Sequence, residues 1–156
     1  MRIEVVHATQ HMADHYRPFL DGFRAVRLVD DAGSLRGELV WRLATGHTVE
    51  ITEMGIFDGS DRRRGHGSAL LAAALLDMES YLDSMGQKLR LVYLFCEARN
   101  DEARAFYEAR GFQFQATLPS FYDDGDATIY AMVRNGNCLM DGNSQLPDGQ
   151  QMPTAG

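Results

Sequence analysis

The chain has 156 residues, a formal net charge of -7, and 45% apolar and 24% charged residues. That length fits one domain able to bury roughly two thirds of its unfolded surface. The acidic balance argues against general nucleic-acid affinity, and no apolar run approaches the roughly 18 residues that a membrane helix needs. MRIEVVHATQ lacks the apolar core of a signal peptide, and Cys96 and Cys138 form neither a CxxC pair nor a ligand cluster. A soluble, cytoplasmic protein is therefore expected.

Residues 2–7 alternate as a strand, and residues 10–23 follow a weak helical pattern broken by Pro18, which predicts one or two short helices. Residues 24–29 and 35–43 read as an antiparallel pair, and a turn at 44–47 leads into a third strand, 48–57. Apolar positions at helical spacing predict a helix over 68–85, stopped by Gly86. LRLVYLFC at 89–96 is nearly continuous in apolar side chains, as in a central strand covered on both faces. With the helix between them, strands 48–57 and 89–96 form a parallel βαβ crossover. Asn100 caps a further helix reaching Arg110, with Asp101 and Glu102 favourably placed in its first turn. Strands 112–117 and 126–133 close the sheet around a longer loop that contains Phe121, Tyr122 and Gly125. One domain over 1–134 is expected, followed by a flexible polar tail, 135–156.

The strongest chemical signal lies where strand 48–57 gives way to the long helix. Arg62, Arg63, Arg64, Gly65, His66, Gly67 and Ser68 stand at a helix N-terminus, whose first turn leaves backbone N–H groups unpaired and concentrates partial positive charge. Glycines at 65 and 67 open the main chain to an anion, and guanidinium forks suit phosphate oxygens. The stretch reads as a pyrophosphate cradle. His7, His11 and His15 recur every four residues, but no carboxylate or cysteine completes a ligand set, so no metal is expected.

The order of elements, the turn Arg62-x-x-Gly65-x-Gly67 and the downstream set Asn100, Ala103, Phe106, Tyr107, Gly111 and Phe112 together resemble the GNAT superfamily of N-acetyltransferases. Its acyl-CoA signature is Gln/Arg-x-x-Gly-x-Gly/Ala, and its second pattern is Asn-x-x-Ala-x-x-Phe/Leu-Tyr followed by Gly-Phe. Both occur here in matching order. The resemblance implies the α/β GNAT fold: a central mixed, mostly antiparallel sheet with a splayed parallel pair and flanking helices. It further implies acetyl-CoA as co-substrate and an amine acceptor, without metal, nucleic acid or membrane. Transfer would go to a primary amine, on a small molecule or a peptide or protein N-terminus, by direct attack through a tetrahedral intermediate. A noncatalytic acyl-CoA-binding domain is the alternative class, and monomer and homodimer both stay open. Arg63 departs from the glycine that many relatives carry.

The resemblance also places pantetheine beside Gly55, Ile56 and Phe57, in the gap where the two parallel strands splay. Gly55 permits close backbone approach and is expected to mark a bulge. Tyr107 is the candidate acid for the departing thiolate, with Asn100, Ala103 and Phe106 beside the donor. Strict period two puts Val49, Ile51, Glu53, Gly55 and Phe57 on one face. Glu53 then sits on an otherwise apolar face as candidate base, directly or through water, with Glu97, Glu50 and Tyr122 as competitors. Phe121-Tyr122 ahead of Gly125-Asp126-Ala127 resembles the closing segment of ribosomal-protein and other N-terminal acetyltransferases. Phe95, however, stands where some bacterial members carry a glutamate. Peptide and small-molecule acceptors both stay open.

Overall fold

A computed structural model describes residues 1–7 and 23–134. Its strands are β1 (Arg2–His7), β2 (Phe23–Val29), β3 (Leu35–Thr45), β4 (Thr48–Ile56), β5 (Leu91–Glu97), β6 (Gln113–Tyr122) and β7 (Gly125–Val133); its helices are α1 (His66–Ser84) and α2 (Asp101–Glu108). The strands form one sheet in the order β1-β2-β3-β4-β5-β7-β6. All neighbours are antiparallel except β4 and β5, the pair separated by α1. The helical pattern read at 10–23 lies outside the described residues up to position 22, as do His11, His15 and the tail beyond 134; Phe23 itself opens β2.

One face of the sheet is apolar because β-strand alternation gathers Val26, Leu28, Leu39, Trp41, Val49, Ile51, Val92 and Leu94 on it. Against that face α1 buries Leu70, Leu71, Ala74, Met78 and Leu82, each large side chain contributing roughly 1.5–3 kcal/mol. A polar tie fixes the helix: Asp77 accepts from Trp41 Nε1 at 3.1 Å and from both Arg24 Nε and its terminal nitrogen, at 3.2 and 2.9 Å. The second face carries a smaller apolar patch of Ala25 and Val40 with Phe23 packed on it.

Strand β4 departs from the simple alternation expected of it. Val40 pairs with Glu53 and Trp41 with Ile51, so Thr52 is an extra residue, a β-bulge. The bulge falls at Thr52 and not at Gly55. Beyond it Met54 and Ile56 pack on the helix-side core, while Glu53 goes to the second face beside Val40 and is exposed. The apolar setting predicted for Glu53 is thereby corrected. The parallel pairing with β5 runs only from Thr48–Leu91 to Ile51–Leu94, so the strands part at the bulge.

Three smaller differences have local causes. β5 alternates, with Val92, Leu94 and Cys96 buried and Leu91, Tyr93 and Phe95 partly so, in place of the doubly covered strand expected. Helix α1 begins at His66, two residues before the predicted start, because Gly65 at φ 82° forms its N-cap. The loop expected between the closing strands is mostly strand: β6 runs to Tyr122 and turns through Asp123-Asp124.

Candidate functional site

Gly65 offers α1 no side-chain cap, and the first backbone bond into the helix runs from Ala69 N–H to the Gly65 carbonyl at 3.0 Å. Among the described residues the N–H groups of His66, Gly67 and Ser68 therefore lack partners, an arrangement that suits an anion. Gly67 serves packing: a Cβ there would stand 3.0 Å from Phe106 Cε2 on α2. Upstream, the turn is pinned from β3, where Arg36 Nε donates to the buried Asp61 at 2.8 Å and its terminal nitrogen to Asp58 at 3.1 Å. Asp58 also accepts from Ser60 N–H at 2.8 Å. That amide first, with Arg36 assisting, holds the Asp58 carboxyl below the usual range.

A groove of 380 Å³ opens from these amides, lined by Met54, Gly55, Ile56, Arg62, Arg63, Gly65, Gly67, Ser68, Asn100, Ala103, Phe106, Tyr107 and Arg110 among others. Arg64, His66 and Phe57 do not line it. Arg110 does, and the motif reading missed it. Its guanidinium lies 3.6 Å from the Phe106 ring centroid, donates to the Phe106 carbonyl at 2.8 Å and to Ser68 Oγ at 2.9 Å. The available signal was the position of Arg110 just past the C-terminus of α2, where a cation can return to the last carbonyls, here that of Phe106.

Met54, Asn100, Ala103 and Tyr107 also line a cleft of 170 Å³ between the parted strands, together with Ile51, Thr52, Glu53, Phe95, Cys96, Glu97 and Tyr122. Groove and cleft thus adjoin, with Tyr107 in the wall of both. The bond from Phe57 N–H to the Arg36 carbonyl, 2.9 Å, sets the alternation of β4: main-chain groups of Gly55 and Glu53 face β3, and those of Met54 and Ile56 face the gap. Tyr107 is buried, its ring edge-on to Phe106 and Phe112 at 5.3 and 5.5 Å. Burial chiefly, and the neighbouring Cys96 thiol next, raise its pKa well above that of an ordinary phenol. Asn100 caps α2 as expected, accepting from Ala103 N–H at 3.0 Å.

At the far end the cleft shares Glu97 and Tyr122 with a third cavity of 270 Å³, lined also by Ala98, Arg99, Asp124, Gly125 and Asp126. Of the carboxylates considered as base, Glu50 is held by Arg42 at 2.6 Å with Tyr93 O–H at 3.4 Å, and Glu97 pairs with Arg99 at 3.3 Å. Glu53 stands exposed on the cleft wall. No cluster of three or more His, Cys, Asp or Glu able to hold a metal occurs among the described residues.

Residues 6–112, more than half of the chain, match the acetyltransferase (GNAT) family. No curated protein matches the chain significantly. Among solved structures, Ard1 from Thermoplasma volcanium is 29% identical with a TM-score of 0.62, the match covering 82% of this chain and 81% of that one. The fold is shared with the ribosomal-protein-S18-alanine N-acetyltransferase from Escherichia coli, 18% identical with a TM-score of 0.66 over 88% and 99% of the two chains. It is shared too with a GNAT family acetyltransferase from Elizabethkingia anophelis with acetyl-CoA bound, 14% identical with a TM-score of 0.68 over 85% and 97%. With a mixed seven-stranded sheet among the described residues, its parallel pair parting beside a helix N-terminus that no side chain caps, the chain belongs to the acetyltransferase (GNAT) family.

Proposed function

We propose that the protein transfers an acetyl group from acetyl-CoA to a primary amine by direct attack. The observation that carries this reading is that the donor groove and the strand gap adjoin, with Tyr107 lining both. Bound acetyl-CoA supplies an acyl carbon activated as a thioester. The diphosphate is held by the free amides of Gly67 and Ser68 and by the cations Arg62, Arg63 and Arg110. Met54 and Ile56 offer their gap-facing main chain to the pantetheine arm, an extended segment added to the edge that β4 exposes once β5 has parted from it. A gap-facing N–H of Met54 or Ile56 is the donor for the oxyanion.

Glu53, directly or through water, takes the proton of the incoming ammonium, so that a neutral nitrogen attacks. As the C–N bond forms and the C–S bond breaks, the leaving sulfur takes the proton of the Tyr107 hydroxyl, and the proton lost by the amine nitrogen leaves through Glu53. The first proton passes from Glu53 to solvent before the attack, and the second returns through water to the Tyr107 oxygen, so that the products are the N-substituted acetamide, the free thiol and one released proton.

Thermal unfolding with acetyl-CoA tests the donor assignment. Saturation at a hundredfold excess over Kd stabilises the native state by roughly 2.7 kcal/mol, and absence of any shift overturns the assignment. Thiol release against a panel of amines and peptides tests transfer; stabilisation with no release from any acceptor leaves a noncatalytic acyl-CoA-binding domain.

A further inference from the structure

The second face of the sheet carries a group of rings for which the transfer chemistry has no task. Phe95 and Phe121 lie parallel, centroids 4.8 Å apart and planes 9° apart. Tyr93 meets Phe95 edge-on at 6.0 Å, and Tyr122 meets Phe121 edge-on at 5.0 Å. Strand geometry alone does not produce this stack. The β6–β7 register breaks between Leu118 and Tyr122, and Ser120 takes a left-handed backbone, φ 54°, within the break. That conformation is disfavoured for any residue with a Cβ and persists where its surroundings impose it. Here Asp126 accepts the Ser120 N–H at 2.9 Å and fixes the kink next to Phe121.

Phe121 nevertheless remains 48% exposed, while Phe95 and Tyr122 line the strand gap itself. Among the described residues the Phe121 ring is thus left about half uncovered, stacked on a residue that lines the reaction cleft. Stacking by a third ring would cover it, with the offset or edge geometry that aromatic groups favour. The same cleft carries Glu53, exposed and on the same sheet face as Val40, so a cationic amine attached to such a ring would find a carboxylate beside it.

We propose that Phe95 and Phe121 form an acceptor platform and that the preferred acceptor is a primary amine joined by a short alkyl chain to an aromatic ring. The inference rests on the transferase reading and specifies its acceptor. Two sources share this chemistry, a free arylalkylamine and a peptide with an N-terminal phenylalanine.

Thiol release is measured with 2-phenylethylamine against n-butylamine, and with peptides beginning Phe-Ala against Ala-Ala. The ring raises kcat/KM by about tenfold or more in at least one of these pairs, and the pair that responds identifies the source. Phe121→Ala removes most of that preference and leaves KM for acetyl-CoA unchanged, whereas Ser120→Gly, which accepts the same φ, keeps it. Calorimetric binding of 2-phenylethylamine and of the Phe-Ala peptide in the presence of CoA separates the two readings. Turnover of amines and peptides without aromatic preference, or a preference that survives Phe121→Ala, overturns the platform while transfer stands. Aromatic binding lost in Phe121→Ala, without thiol release, upholds the platform and overturns the transferase reading. No binding and no preference overturns the platform outright.

Discussion

Tyr107 keeps its proton where an exposed phenol begins to lose it, because burial among Phe106, Phe112 and the Cys96 thiol disfavours the phenolate. A proton donor that keeps its proton imposes no alkaline limit near neutral pH. Tyr107→Phe is expected to lower kcat by roughly 10²–10⁴ and to leave stabilisation by acetyl-CoA intact, since the phenyl ring still packs. In the wild type, kcat should show no decline attributable to this group until the pH exceeds roughly 10; an alkaline limb below pH 9 that vanishes in Tyr107→Phe would contradict the assignment. The sign for stability follows. Above the unfolded pKa the unfolded chain releases this proton and the folded chain retains it, so stability falls as pH rises beyond roughly 10 and is unaffected by Tyr107 below it. Arg63 poses a different single-residue question, for its φ of 59° explains why glycine suits this position in related cradles. Arg63→Gly relieves the left-handed strain but loosens the unfolded chain, so stability should stay within about 1 kcal/mol of wild type. The lost cation should raise KM for acetyl-CoA severalfold, and equal donor kinetics in the two proteins would remove Arg63 from the phosphate site.

At the scale of elements, the bulge in β4 is what turns a parallel pair into a binding gap. The last β4–β5 pair is Ile51 with Leu94, and Thr52 is inserted immediately after, its hydroxyl donating to the Val40 carbonyl at 3.3 Å. Ile51 and Met54 face the same core with Thr52 and Glu53 between them, so removing Thr52 would preserve which side chains are buried and abolish only the extra twist. Deletion of Thr52 should therefore yield a folded protein, shown by a cooperative thermal transition, in which β4 and β5 pair further and acetyl-CoA no longer raises Tm. Retained stabilisation would mean that the gap has another cause. This bulge also marks what the sequence could and could not reveal. Among the described residues, the order of strands and helices, the Asn100 cap and the parallel crossover follow from local periodicity and capping chemistry and appear near their expected limits, except that β6 extends to Tyr122. A bulge at an ordinary threonine depends on register with β3, and no local pattern encodes it. The assumption of strict period two consequently placed Glu53 on the wrong face. Arg110 was hidden for a related reason: its contact with Ser68 joins the turn after α2 to the first turn of α1, 42 positions away in the chain.

Across the whole molecule, electrostatics opposes the two substrates in different ways. The chain carries a net charge of -7, whereas the donor groove gathers Arg62, Arg63 and Arg110 against Glu102, and the acceptor mouth presents Glu53 and Glu97 with Asp124 and Asp126 beyond, against Arg99. An anionic donor is repelled by the distant surface and attracted by the local cations. A cationic amine is attracted by both the surface and the mouth. At an ionic strength of about 0.01 M the Debye length of roughly 30 Å lets the whole surface act, and near 0.15 M it shrinks to roughly 8 Å, leaving mainly the local groups. Adding salt over this range removes repulsion and attraction together for acetyl-CoA, so its KM should change little. For the amine it removes only attraction, so KM should rise clearly. Initial rates over the salt series, with the other substrate saturating, compare the two slopes; a donor KM that climbs more steeply than the amine KM would show that the arginine groove dominates the field of the whole protein, contrary to this account.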